Sequence, residues 1–251
     1  MPAFKLVDLF RTGAALVLAL FFGVASAQDA AAQTDLASLA EKFTFREVGP
    51  ANPGGRIIDV EGVESAPHII YLGTATGGVW KTVNSGITWE PIFDDQPIAS
   101  IGDLGLSRSD PNVLYVGTGE ANIFRSSMAG AGVFRSKDGG GSWDYMGLAG
   151  THTIPRIVVH PQNSDLVYVA ASGNEWTDNE ERGLYRSRNG GETWDKILYV
   201  DERTGVIDLV MDPSDPNTLY AATWQRVREK WNDPRNESWY DKSGVWKTTD
   251  G

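Results

Sequence analysis

One stretch is written four times along the chain: a glycine, an apolar residue, an aromatic, a basic residue, then Ser or Thr and a Gly-rich turn that leads into Trp. The copies begin at Gly78, Gly132, Gly183 and Gly244, spaced 54, 51 and 61 residues apart, and the last runs out at Gly251 before its closing Trp. Self-similarity at such a period marks stacked supersecondary units, none of which can bury its apolar face alone. Within a copy, Val79/Lys81, Val133/Arg135 and Leu184/Arg186 alternate around Trp80, Phe134 or Tyr185 with the two-residue period of a strand. Asp138-Gly139-Gly140 and Asn189-Gly190-Gly191 supply the positive φ angles and short side-chain acceptors of a tight turn. Trp89, Trp143 and Trp194 open the following strand, each placed to bury its ring against its unit.

A second landmark sets the register. Tyr71, Tyr115, Tyr168 and Tyr220 each close a short apolar segment, and Phe45, Trp89, Trp143 and Trp194 precede them by 26, 26, 25 and 26 residues. For the second unit this predicts strands over 101–106, 112–117, 132–137 and 143–148. Short, evenly spaced strands with one Gly/aromatic motif per unit are the pattern of a propeller blade. The predicted fold is all-β, a β-propeller of four-stranded antiparallel blades over 43–251. The segment Phe43–Val48 reads as a lone outermost strand that completes the last blade of a ring. Three whole blades and three strands of a fourth follow, so the chain is expected to be the N-terminal part of a larger propeller.

Ser136-Lys137-Asp138-Gly139-Gly140-Gly141-Ser142-Trp143 resembles the Asp box (BNR repeat), with Asn84 and Asn189 in the Asp place of the first and third copies. Asp boxes occur in the β-propellers of sialidases, xyloglucan-cleaving endoglucanases, sortilin-type receptors and a photosystem II assembly factor. The chain also resembles exported bacterial proteins described as sortilin-like or glycosyl-hydrolase-like. The resemblance covers about Phe43 to the end and implies the fold; the box lies on the blade periphery in those families and takes no part in catalysis.

Residues 1–27 read as a secretory signal: Lys5 and Arg11, an apolar run from Gly13 to Val24, and Ala25-Ser26-Ala27 before Gln28. That run is shorter than the roughly 20 apolar residues of a spanning helix, so cleavage into the periplasm or medium is expected. Residues 28–42 read as a linker. The chain has no Cys, which excludes a lipid-anchored Cys, disulfides and thiolate metal sites. Its net charge of −11 argues against nucleic acid and anionic membrane as partners, both of which need a basic footprint.

Function is read on the loops between second and third strands, on the face opposite the boxes. They run from Thr118 to Ala131, Ala171 to Arg182 and Thr223 to Ser243, and long loops on one face are where repeat proteins place binding surfaces. The candidate ligand-binding residues are Glu120, Glu175, Trp176, Trp224, Arg226, Trp231 and Trp239. Aromatic planes beside carboxylates and guanidinium groups suit sugar rings, which offer apolar faces and hydroxyl edges, and they also suit peptide segments. Twelve residues before each landmark Tyr stand Asp59, Asp103, Arg156 and Asp208, a charged ring at the mouth of a channel. The expected function is recognition of a glycan or an extracellular peptide. Alternatives are a glycoside hydrolase that pairs Asp59 or Asp103 with Glu120 or Glu175, and a protein assembly scaffold.

Other chemistries find little support. The xyloglucan-cleaving endoglucanases carry a catalytic Asp where the similar stretch Tyr71–Gly78 has Ala75. A sialidase Arg-Ile-Pro appears only as Ile154-Pro155-Arg156, in the wrong order. His68, His152 and His160 have no metal-ligand spacing, and neither metal nor cofactor is expected.

Overall fold

A computed structural model describes residues 56–122, 127–227 and 242–251, within one compact unit, Asn52–Gly251. The expected signal, linker and Phe43–Val48 strand lie outside the described residues, as do the candidates Trp231 and Trp239. Three four-stranded antiparallel sheets follow one another, each paired in chain order. The first holds β1 (Ile57–Gly62), β2 (Ile70–Thr74), β3 (Val79–Thr82) and β4 (Glu90–Pro91). The second holds β5 (Ile101–Leu106), β6 (Leu114–Thr118), β7 (Val133–Ser136) and β8 (Asp144–Tyr145). The third holds β9 (Arg156–His160), β10 (Asn163–Ala171), β11 (Gly183–Ser187) and β12 (Asp195–Leu198). A fourth, three-stranded sheet has β13 (Thr204–Met211), β14 (Leu219–Gln225) and β15 (Gly244–Thr248). These are propeller blades, as expected. The outermost strands are shorter than the sequence suggests, because pairing starts one residue after each Trp and ends early.

The boxes form one repeated network. Thr82, Ser136 and Ser187 each donate through Oγ to Oδ1 of Asn84, Asp138 or Asn189, at 2.9, 2.7 and 2.9 Å. The same hydroxyls accept from the N–H of Gly86, Gly140 and Gly191 at 2.9, 2.8 and 2.8 Å. The turn needs two successive positive φ angles, taken by Gly139 (68°) and Gly140 (93°) in the second box and by Ser85 (58°) and Gly86 (87°) in the first.

The core lies between blades rather than within them. Val79 and Phe93 of the first blade join Leu104 and Phe134 of the second in one apolar cluster, and two further clusters repeat this at the next two junctions. The box Trp belongs to this seam, not to its own unit. Trp143 Nε1 donates to Ile92 O, and Trp194 Nε1 to Met146 O, both at 2.7 Å and both across a blade boundary. The basic residue of each tetrad reaches the other way. Lys81 Nζ donates to Gly139 O at 2.8 Å, and Arg135 Nη1 to Gly190 O at 3.3 Å, so each blade grips the box turn of the next. Tyr71 and Tyr115 lie beneath these cations at 5.4 Å, a favourable cation–π distance. They are buried, whereas Tyr220, under Lys247 of the fourth blade, is 40% exposed.

The leading glycine of the tetrad is required by geometry in the second and third blades. Gly132 has φ 99° and Gly183 φ 134°, and a Cβ on either would stand 2.1 or 2.3 Å from a carbonyl oxygen of the following strand segment. Gly244 has neither constraint. Gly132→Ala is therefore expected to cost about 2 kcal/mol or more, and Gly244→Ala to be near neutral. Urea melts of the two variants check this; equal costs would contradict it.

Candidate functional site

Three of the four ring residues lie together at the start of the inner strands. A bulge precedes the Asp in blades one, two and four, where the register shifts between Ile57/Asp59, Ile101/Asp103 and Val206/Asp208. Pro155 holds the matching place in blade three, where a residue without an N–H is tolerated. In the first two blades the bulge aims the carboxylate at the next blade, whereas Asp208 accepts from its own Leu209 N–H at 2.9 Å. Asp59 Oδ2 accepts from Leu104 N–H at 3.2 Å, and Asp103 Oδ2 from Ile157 N–H at 2.6 Å. Arg156 has no acceptor to offer in turn. Its guanidinium instead joins Asp103 at 3.2 Å and Asp208 at 3.0 Å, so three blades are tied by one cation.

Below the ring the inner strands surround a cavity of about 940 Å3, with Glu61, Glu64, Arg108, Arg156, Asp208 and Asp212 in its wall. Burial first, and the charge of Asp59 second, push Glu61 up to about 7. The same two causes push Asp103 up to about 8, against the opposing pull of Arg156 and the Ile157 N–H. Among the described residues no group of three or more His, Cys, Asp or Glu is arranged to hold a metal ion.

On the long-loop side, the structure separates residues that the sequence offered as one set. Glu120 is only 3% exposed and forms an ion pair with Arg56. Glu175 is buried too. Trp224 lies within β14, paired with Gly205, rather than in a loop, because β13 begins early enough to extend the ladder. The Arg226 guanidinium sits 5.0 Å from the Trp224 ring. Trp176 alone of the described candidates stands out in solvent, 42% exposed.

The loop that carries Trp176 is built around Arg182, which the sequence reading did not single out. This fully buried guanidinium donates to the carbonyls of Ser172, Asn174 and Thr177. Burial pulls it down to about 10. The only sequence signal was a cation directly before a leading glycine, where Gly77, Ala131 and Ser243 stand in the other copies. Asn174 Oδ1 accepts from Trp176 N–H at 2.9 Å and holds the tip. Asp178 meets Arg203 at 3.4 Å, and Arg203 O accepts from Arg226 N–H at 2.7 Å. One residue thus links the Trp176 loop to the Trp224–Arg226 pair on the same face.

The chain has distant relatives among known proteins. A xyloglucanase from Paenibacillus sp is 27% identical over 175 residues, which cover 64% of this chain and 16% of that protein. Xyloglucanase Xgh74A of Acetivibrio thermocellus is 25% identical over 223 residues, 75% of this chain and 25% of that protein. The chain is distantly similar to GH74 xyloglucanase β-propellers. The solved structure of an ancestral GH74 enzyme superposes with a TM-score of 0.56 at 20% identity, covering 80% of this chain and 24% of that one. The chain thus spans a quarter or less of the length of these relatives. No family model matches it.

Proposed function

We propose that this protein is an exported glycan-recognition propeller whose ligands are polysaccharides of the xyloglucan class. The observation that carries the reading is Trp176, an aromatic plane held in solvent by a loop that Arg182 organises from beneath. A rigid, exposed ring of this kind loses little entropy on stacking against a sugar. The Trp224–Arg226 pair, joined to that loop through Arg203, offers a second platform with hydrogen-bonding capacity. Similarity to curated xyloglucanases supports the ligand class. Hydrolysis is the weaker reading. Asp103 and Glu120 are engaged with Arg156 and Arg56, Asp59 holds a backbone N–H, and the buried Ala75 has no proton to donate.

Affinity electrophoresis in xyloglucan, beside cellulose and mannan gels, tests the proposal. Retardation in xyloglucan is expected, with binding about tenfold weaker in Trp176→Ala, the worth of one stacked ring. Equal mobility in every gel, or unchanged retardation in the variant, would overturn it.

A further inference from the structure

The third blade carries a second exposed ring beside the Trp176 loop. Tyr199 follows the end of β12 and is 44% exposed, close to the 42% of Trp176. Its hydroxyl makes no hydrogen bond among the described residues. Lys196 holds the ring in place: its Nζ stands 4.8 Å from the Tyr199 centroid and 5.4 Å from that of Tyr185. The same Nζ donates to Glu180 O, in the Trp176 loop. Two further ties seat that loop on the segment after Tyr199. Asn179 N–H donates to Glu202 O at 2.8 Å, and Arg203 meets Asp178 at 3.4 Å. Trp176 and Tyr199 therefore ride on one assembly. The corresponding residues of the first two blades, five after the box Trp, are Asp94 and Leu148, so the ring is particular to the third blade. Residues 174–203 alone build this surface. It stands at the opposite end of the strands from Gly251, whose N–H meets Asn217 O in the β13–β14 turn.

We propose that Tyr199 is a second sugar-stacking platform, and that one neutral polysaccharide chain lies across the third blade with one of its rings on Trp176 and another on Tyr199. The inference rests on the reading of Trp176 as a glycan platform and gives that site its second contact and its selectivity. A ring already pinned by a cation and a neighbouring loop has little freedom left to lose on stacking. Two platforms on one rigid support also make the second contact intramolecular once the first has formed. Selectivity follows from charge. Glu202, Glu180 and Asp201 lie within electrostatic reach of the Tyr199 hydroxyl, and Glu180 and Glu202 are exposed. Carboxylates accept hydrogen bonds from sugar hydroxyls, whereas a uronate would bring like charge against them.

Affinity electrophoresis of the full chain in xyloglucan, with polygalacturonate as the anionic comparison, tests this. Tyr199→Ala is expected to bind xyloglucan about fivefold to tenfold more weakly, the worth of one ring. Tyr199→Phe keeps the ring and should lose no more than about threefold. Tyr145→Ala, which removes an equally exposed ring from β8 of the second blade, should change nothing. No retardation is expected in polygalacturonate. Retardation that Trp176→Ala weakens and Tyr199→Ala leaves unchanged would overturn this inference and leave the Trp176 reading standing. Equal weakening by the Ala and Phe variants, equal weakening by Tyr145→Ala, or retardation in polygalacturonate would overturn it too. A wild-type chain that xyloglucan does not retard would overturn the Trp176 reading and this one with it.

Discussion

Replacing Trp143 with alanine is expected to destabilise the fold by about 3–4 kcal/mol, the usual cost of removing a large aromatic from a packed seam. The ring contributes in two ways. Its edge-on contact with Phe93 at 5.0 Å continues to Phe134 at 5.3 Å, so three aromatics cross the boundary between two blades. Its N–H also satisfies the Ile92 carbonyl at 2.7 Å. Trp143→Phe keeps most of the ring and loses the hydrogen bond, so roughly 1–1.5 kcal/mol is expected. Trp246→Ala removes the same side chain from an exposed position on β15 and should cost well under half as much as Trp143→Ala. Urea unfolding of the three variants gives the order directly. A Trp143→Ala cost no greater than that of Trp246→Ala would mean that the seam is not what holds the blades together.

That seam explains why the fold was legible and why part of the site was not. The Asp box is a local device: hydroxyl, carboxylate or carboxamide, and two glycine-type φ angles lie within five residues, so composition and spacing reveal it. The landmark tyrosines share this property because they recur at a fixed distance from the box. The roles of Lys81 and Arg135 are not local. Each meets a glycine carbonyl 58 or 55 residues away, in the next blade, and nothing in the tetrad itself states what its cation faces. Glu120 and Glu175 were read as available because charges in loops are ordinarily solvated. The loops instead fold back: Glu120 N–H reaches Met128 O at 2.9 Å, and its carboxylate meets Arg56 near the start of the first blade. Arg156 was legible as an exception in a ring of Asp, but the three-blade tie it makes depends on the bulges, which no spacing rule shows.

Stability is expected to fall as pH rises from about 5 to about 8. The groups responsible are Asp103, raised from 3.8 to about 8, and Glu61, raised from 4.5 to about 7, in both cases chiefly by burial. A folded-state value above the unfolded one means that between the two the folded chain binds the extra proton. Stability from these groups is therefore fully present below about 4 and is lost as pH passes through 7 to 8. Each pH unit of separation is worth about 1.4 kcal/mol; discounted for the solvent that reaches Glu61 and for the charge of Asp59 that both groups share, a loss on the order of 3 kcal/mol is expected. Asp138 works in a different window. Its box hydroxyls hold it down to about 2, so its contribution is present above about 4 and lost only below that. The overall charge of −11 adds general repulsion in the same direction as Asp103, so wild type alone does not isolate the ring. Asp103→Asn does: the amide oxygen still accepts from Ile157 N–H, and nothing at that position titrates. Thermal melts at about pH 5 and about pH 8 should separate by several degrees in wild type and by clearly less in the variant. Equal separation in both would place the pH dependence outside the ring, and with it the reason for reading Asp103 as a buried, proton-holding link between the second and third blades.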